Sequence, residues 1–152
     1  MCSDFRVTEL RTSETKLEFP YSRTLGPVMG KFLMGLREGK LLGIKASDGR
    51  IIVPPVEYDP DSGEALGPDL VEVGPGGTVE SWTWVDQPTP KHPIGHAFAF
   101  ALVKPDGADT ALVSPVDSGS IEAMSTGMKV RARFKPEPDG LITDLSWEPA
   151  TP

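Results

Sequence analysis

The stretch MKVRARFK at residues 128–135 decides the fold class of this protein. Apolar and basic residues alternate along it: Met128, Val130, Ala132 and Phe134 against Lys129, Arg131, Arg133 and Lys135. Alternation at period 2 is typical of a β-strand with one face in a core and the other in solvent. The pattern therefore predicts a strand over 128–134 with four cations in a row on its outer face.

Similar patterns lie on both sides of this stretch. They predict strands over 78–86, 96–103, 110–116 and 141–147, and the 16 Gly and 16 Pro of the 152 residues supply turns between them. Five short strands within about 80 residues favour a small closed barrel, and five strands fit the OB fold. The protein is thus predicted to be mainly β.

One helix is predicted upstream of the strands. Apolar residues recur there with the 3.6-residue period of an amphipathic helix: Leu25, Val28, Met29, Phe32, Leu33 and Leu36. Ser22 or Thr24 can cap its N-terminus, Pro27 suits its first turn and Gly39 can end it. In one interpretation, the apolar stripe packs in the core. In the other, part of the stripe, including Phe32 and Leu36, contacts a partner chain or a long apolar ligand.

Residues 40–66 read as a hairpin region. The turns Ser47-Asp48-Gly49 and Asp59-Pro60-Asp61-Ser62-Gly63 flank an apolar run that ends at Pro54-Pro55. Three units follow for the whole chain: an N-terminal extension over 1–24 with short extended segments, a helix-plus-hairpin module over 25–66, and an OB-fold domain over 67–152. No internal repeat is evident.

Charge and composition disfavour several classes of function. The net charge is −7, and residues 51–90 carry eight Asp or Glu and no Lys or Arg. Nucleic-acid binders need a basic footprint, so nucleic acid is not an expected partner. Cys2 is the single cysteine, which excludes a disulfide framework. With no long apolar run and no signal-peptide pattern, we expect a cytoplasmic protein without a membrane partner.

Four strings in a fixed order resemble the DUF35 family of OB-fold proteins associated with acyl-CoA metabolism. They are FLMGLREGKL at 32–41, DGR at 48–50 followed by the prolines at 54–55, GTVESWT at 77–83 and GMKVR at 127–131. The resemblance covers roughly residues 20–148. It implies an N-terminal helix, a rubredoxin-like or zinc-ribbon-like hairpin module and a five-stranded OB barrel.

The resemblance also implies a function. Members of the family are non-catalytic accessory subunits of thiolases, of lipid-transfer-protein-type aldolases or of acyl-CoA hydratases. We expect a hetero-oligomer with a thiolase-like enzyme, an aldolase or thiolase in steroid or lipid side-chain degradation, which supplies the catalytic residues. This chain is expected to bind no cofactor itself, although a coenzyme A thioester can be bound in the complex.

The zinc-ribbon module of the family usually carries two Cys-x-x-Cys pairs, each followed by Gly. Here Lys45, Asp48, Asp59 and Ser62 stand at the four ligand positions, before Gly49 and Gly63. These four side chains cannot form a tetrahedral thiolate site. The module is therefore expected to keep its turns without a metal, with Lys45 and the two aspartates making exposed hydrogen bonds and ion pairs instead.

A catalytic constellation is not legible in the sequence. His92 and His96 have helical spacing, but Pro90 and Pro93 forbid a helix there. The glycines at 74–77 open a strand and read as a turn rather than a phosphate loop. We therefore predict no catalytic residues in this chain.

Three surfaces are candidates for binding. The first is the basic row Lys129, Arg131, Arg133 and Lys135, either a solvated face or a contact for phosphates of coenzyme A or an acidic partner. The second is the pair Trp82 and Trp84, either a cover for the helix or a stacking platform on the OB face. The platform would suit the alternative function of a single-strand nucleic-acid binder. The third is the small face Ala97, Ala99 and Ala101, which allows close approach of the helix or of a partner.

Overall fold

The computed structural model describes residues 12–22 and 24–150. Their elements, in chain order, are α1 Gly26–Arg37, β1 Leu41–Lys45, β2 Ile51–Ile52, β3 Leu70–Val73, β4 Gly76–Val85, β5 Phe98–Pro105, β6 Leu112–Val116, β7 Lys129–Phe134 and β8 Leu145–Pro149. Short 3₁₀ turns lie at Ile121–Ala123 and Ile142–Asp144. No helix among these residues is long and apolar enough to cross a bilayer.

The last five strands form a closed barrel in the order β4-β5-β6-β8-β7. The β6–β8 pair is parallel, and β7 pairs with β4 to close the barrel. Val79, Val103, Val130 and Trp147 fill its interior and are fully buried. The predicted mainly β fold with a five-stranded OB-type barrel is confirmed, because each of the five predicted strands overlaps an observed one. The bounds of the last strand are wrong: Ile142–Asp144 form a 3₁₀ turn, and β8 begins only at Leu145.

The first three strands form a separate sheet in the order β2-β1-β3. Its hairpin β1–β2 is the one expected within residues 40–66. The strand β3 lies in the segment that the sequence assigned to the OB-fold domain, yet it pairs with β1 over four residues. The far side of β2 is covered by the β5–β6 connection, where the N–H of Asp109 donates to the carbonyl of Ile51 at 2.8 Å.

The helix α1 confirms the predicted apolar stripe from Val28 onward, whereas Leu25 precedes the helix and is exposed. Val28, Phe32 and Leu36 are buried, and Gly39 ends the helix region with a φ of +74°. The predicted N-cap is wrong: Leu25 holds that position, with no side-chain cap. Ser22 and Thr24 come too early to cap, since a cap must immediately precede the first helical residue.

The N-terminal extension shows no regular secondary structure over residues 12–22. Its alternating residues Leu17, Phe19 and Tyr21 are exposed. Phe5 and Val7, which were expected in an extended segment, lie outside the described residues, as does Cys2. Residues 17–21 therefore have the alternating pattern, but they do not form a β-strand.

Candidate functional site

The basic row on β7 is placed as the alternation predicts. Lys129, Arg131, Arg133 and Lys135 are all exposed. Lys129 Nζ donates to Thr78 Oγ1 at 2.7 Å, and Lys135 Nζ lies 3.1 Å from Asp139 Oδ2. Within residues 12–22 and 24–150, Arg131 and Arg133 have no carboxylate within ion-pair distance. These two guanidinium groups are the cations left for an anionic group from outside.

Arg133 also borders a small pocket beside the β4–β5 loop. The pocket holds about 230 Å³ and is lined by His96, Asp117, Arg133 and Lys135, among others. His96 Nε2 lies 3.1 Å from Asp117 Oδ1. The sequence reasoning missed Asp117, because His96 precedes β5 and Asp117 follows β6, and only their pairing brings them together. The two cations Arg133 and Lys135 suit a small anionic group, and the Asp117 carboxylate lines the same pocket.

A buried carboxylate positions the loop on which Lys135 and Asp139 lie. Asp144 is almost fully buried and accepts hydrogen bonds from the N–H groups of Asp139, Gly140 and Leu141 at 3.0, 2.6 and 3.0 Å. Burial raises the pKa of Asp144, but these three donors outweigh burial, so its pKa lies below the usual range. Lys135 Nζ is 3.8 Å from this carboxylate, which fixes the end of the basic row.

The tryptophan pair does not form an exposed platform. Trp82 and Trp84 are half-buried and pack against the barrel core. A β-bulge between Val79 and Ser81 shifts the register of β4, so the faces assigned by simple alternation exchange after it. The two rings consequently point inward. The helix α1 instead packs mainly on β1, β3 and the turn at 142–144, so a role of the rings as its main cover is not observed.

The alanine face turns inward as well. Ala101 pairs with Trp82 and Ala99 pairs with Trp84, and both alanines are buried. A narrow barrel interior accommodates a large ring opposite a small side chain. The predicted close approach is therefore made by this chain's own tryptophans. Ala97 lies just before β5 and is half-buried.

The opposite face of β5 is partly covered by the β4–β5 loop. The ring of His92 packs on Phe98 and Phe100, with centroids 5.8 and 6.1 Å away. His92 Nδ1 accepts the N–H of Thr89 at 2.7 Å. His92 thus holds the β4–β5 loop against β5, whereas His96 lines the pocket beside Arg133. Leu102 and Val113, which are cross-strand partners, remain exposed on this side.

Phe32 and Leu36 are core residues. Their exposed fractions are 1% and 0%, and both belong to the cluster that joins α1 to the barrel. They cannot touch a partner without unfolding, so the interpretation of the stripe as core is the correct one at these positions. The helix residues that do reach solvent are on its other side, and they include Met34.

An arginine joins two of the four positions that correspond to the family's zinc ligands, Asp48 and Asp59. Arg50 donates to Asp48 within the first turn, and its Nη2 lies 2.7 Å from Asp61 Oδ2 and 3.6 Å from Asp59 Oδ1 in the second turn. Asp59 is buried, and its Oδ1 accepts the N–H of Asp61 at 2.8 Å. Arg50 thus bridges the two turns.

This donor set does not fit the zinc that the family resemblance implies. A guanidinium lies between the carboxylates, and no thiolate or imidazole from residues 12–22 or 24–150 joins them. The expected role of Lys45 is wrong, since Lys45 has no ion pair among the described residues and Arg50 takes that place. No group of three or more His, Cys, Asp or Glu in the described residues could hold a metal ion.

Comparison with known proteins agrees with the OB fold of the barrel. Residues 70–135 match the family model described as the ChsH2 C-terminal OB-fold domain. No curated protein matches the chain.

Two solved structures are similar in fold. The first is a chain of the "Ltp2-ChsH2(DUF35) aldolase", with 18% identity and a TM-score of 0.65 over 86% of this chain and 100% of that one. The second is a DUF35-family protein of unknown function from Sulfolobus solfataricus, with 21% identity and a TM-score of 0.62 over 82% of this chain and 87% of that one. These comparisons confirm the expected resemblance to DUF35 and the OB fold.

Proposed function

We propose that this protein is a non-catalytic accessory subunit of a thiolase-like enzyme that acts on acyl-CoA. The enzyme is a lipid-transfer-protein-type aldolase or thiolase of steroid or lipid side-chain degradation, and the complex is a cytoplasmic hetero-oligomer. The observation that carries the proposal is the likeness in fold to one chain of the Ltp2-ChsH2(DUF35) aldolase over that chain's whole length. The match of residues 70–135 to the ChsH2 OB-fold domain supports it independently.

The geometry of the described residues supports a role without chemistry of its own. A nucleophile activated by a base requires both groups within hydrogen-bond reach, oriented by a third group. His92 accepts a hydrogen bond from Thr89 in its own loop, and His96 is paired with Asp117 on the surface. The nucleophile and base are therefore assigned to the larger partner.

Coenzyme A would meet this chain at the basic row. Arg131 and Arg133 have no carboxylate within ion-pair distance among residues 12–22 and 24–150. Guanidinium groups bind phosphates through paired, charge-assisted hydrogen bonds. In this proposal the cofactor's phosphates lie against these two arginines while its acyl chain enters the partner.

Purification of the untagged chain with its neighbours from the native host tests the proposal. We expect a thiolase-like protein in stoichiometric amount. Recovery of an acyl-CoA hydratase would instead favour the alternative accessory role, and recovery of nucleic acid alone would favour the OB-fold alternative. Cleavage of an acyl-CoA is then assayed with the large subunit, with this chain and with both. Activity from this chain alone would contradict the proposal.

A double substitution sharpens the assignment of the cofactor contact. Arg131→Ala with Arg133→Ala should raise the KM for acyl-CoA in the complex and leave subunit association intact. Lys40→Ala with Lys45→Ala is the matched control, because these exposed cations lie outside the basic row. An equal effect of both pairs would show that only net charge matters.

A further inference from the structure

The two arginines of the basic row have different neighbours on β8. Glu148 lies opposite Arg131, whereas Ser146 lies opposite Arg133. Side chains directly opposite each other on adjacent strands lie close together on one face of the sheet. An anionic group beside Arg131 therefore meets a carboxylate, whereas one beside Arg133 meets a hydroxyl that can donate a hydrogen bond. Arg133 is the more favourable position for a group of high negative charge.

Arg133 also lines the pocket of about 230 Å³ at which the ends of β6, β7 and β8 meet, and we call it the Arg133 pocket. Lys135 and Ser146 line it as well. The N–H of Asp117, just after β6, donates to the carbonyl of Trp147 at 2.8 Å, which brings the end of β6 beside Ser146. Sites that enclose a whole small ligand usually exceed about 300 Å³. The Arg133 pocket therefore suits one terminal group of a larger ligand.

One carboxylate in the lining of the Arg133 pocket opposes an anion there. Asp117 Oδ1 lies 3.1 Å from His96 Nε2. Because an ionised carboxylate only accepts hydrogen bonds, Nε2 carries the hydrogen and offsets part of this charge. Lys135 is shared with Asp139 at 3.1 Å. Arg133 has no carboxylate within ion-pair distance among the residues that the structure describes, so its guanidinium is the principal group for an incoming anion.

The spacing of the arginines fits the nucleotide end of coenzyme A. Arg131 and Arg133 are two residues apart on one strand face, so their Cα atoms are about 7 Å apart. The 3′-phosphate and the 5′-diphosphate of the nucleotide are separated by one ribose, which is a comparable distance. The 3′-phosphate is terminal, so it can enter a small pocket, and a phosphate monoester carries a charge of about −1.5 to −2 at pH 7. The diphosphate has substituents on both sides and suits the open strand face instead.

We propose that the Arg133 pocket binds the 3′-phosphate of coenzyme A while the 5′-diphosphate lies on Arg131. Arg133 donates paired, charge-assisted hydrogen bonds to the monoester, and Lys135 and Ser146 donate from the same lining. This assignment rests on the proposed function, from which coenzyme A comes as the ligand. It makes the end of the basic row selective for a nucleotide with a 3′-phosphate.

Titration of the full chain, followed by NMR, tests the pocket without the partner. The amides of Gly95, Arg133 and Ser146 are observed as coenzyme A, dephospho-coenzyme A or inorganic phosphate is added. Coenzyme A should shift these amides and bind at least about tenfold more tightly than dephospho-coenzyme A. Equal affinities for the two, or no shift with coenzyme A, would overturn the proposal. Inorganic phosphate bound as tightly as coenzyme A would indicate a site for an adventitious ion only and would also overturn it.

Arg133→Ala shows whether the discrimination comes from this pocket. The variant should bind coenzyme A and dephospho-coenzyme A equally, because the principal donor to the monoester is gone. Lys45→Ala is the matched control, since Lys45 is exposed and has no ion pair in the described part of the chain. The control should keep the preference for coenzyme A. Equal loss of the preference in both variants would show that only net charge matters and would contradict the assignment.

The same comparison in the complex separates this assignment from the proposed function. The KM should be higher for an acyl-dephospho-CoA than for the matching acyl-CoA, and Arg133→Ala should remove that difference. A difference that persists in Arg133→Ala would assign the 3′-phosphate to the partner and overturn the proposal. Failure of the proposed function appears instead as the absence of a thiolase-like partner on purification, whatever the full chain alone binds.

Discussion

The barrel and the N-terminal module are stabilised in different ways. In the barrel every strand has two neighbours, and the interior is filled by buried apolar side chains around Trp147. The module has an open three-stranded sheet, one strand of which has two residues, and an arginine joins its turns. The difference indicates that the barrel is stabilised by strand closure and packing, whereas the module relies on the packing of α1 against its sheet, with a smaller contribution from the exposed charged turns.

The strongest test of this contrast is a residue that belongs to both regions. Phe32 lies on α1 and in the core cluster that includes Val79 and Trp147. Phe32→Ala should lower the free energy of unfolding by about 3–5 kcal/mol, because it leaves a large cavity. Met34→Ala on the same helix is the control, since Met34 is half exposed. Chemical denaturation measures both.

The shape of the Phe32→Ala transition is as informative as its midpoint. One cooperative transition would show that module and barrel unfold together through the shared core. Two separate transitions would show that they are independent, and that the contrast is one between two folding units. An unchanged melting temperature would contradict the assignment of α1 to the core.

The sequence allowed the barrel to be predicted more fully than the module, for a physical reason. A barrel strand has one face inside, so its alternation is visible, and all five strands were found. The exchange of faces at Trp82 was missed, because a bulge inserts a residue without any signal in the pattern. The strand β3 was missed because its four residues lie in a Gly- and Pro-rich stretch and pair only through tertiary contact.

The site was less predictable still. The basic row follows from alternation on one strand. Asp117 and Arg50 were missed as site residues, because each acts with residues from another part of the chain. Charged residues that pair only after folding show no periodicity or spacing in the sequence, so their pairing cannot be predicted from it.

A smaller effect is expected at the β7–β8 loop, whose turn at Ile142–Asp144 packs on α1. Asp144→Ala leaves three N–H groups without their buried acceptor, and we expect a loss of about 2–4 kcal/mol of unfolding free energy. Asp139→Ala is the control, because that carboxylate is exposed and serves mainly Lys135. Equal losses in the two variants would show that the buried hydrogen bonds contribute little.

The pH dependence of stability separates Asp144 from other acidic groups. Its pKa in the folded chain is lowered, so its contribution is present above the unfolded pKa near 3.9 and is lost as the pH falls through the folded value. Thermal melts below about pH 5 should therefore show a smaller slope against pH in Asp144→Asn than in the unchanged chain. An identical slope would assign acid sensitivity to other carboxylates.

The smallest effect is expected at the charged turns of the module. Arg50→Ala removes the cation between Asp48, Asp59 and Asp61, but the cluster is largely exposed and screened by salt. We expect a small drop in melting temperature that shrinks at high salt, whereas Lys45→Ala should have none.

A chelator should leave the melting temperature of the unchanged chain and of Arg50→Ala as it was, and elemental analysis should find no stoichiometric zinc. Zinc near one per chain, or a melting temperature lowered by chelator, would show that a metal rather than Arg50 joins the turns. Arg50→Ala combined with cysteine at positions 45, 48, 59 and 62 should produce a protein that binds zinc and whose melting temperature falls when a chelator is added. The module would then gain zinc-dependent stability far larger than the arginine supplies, because structural zinc contributes directly to folding.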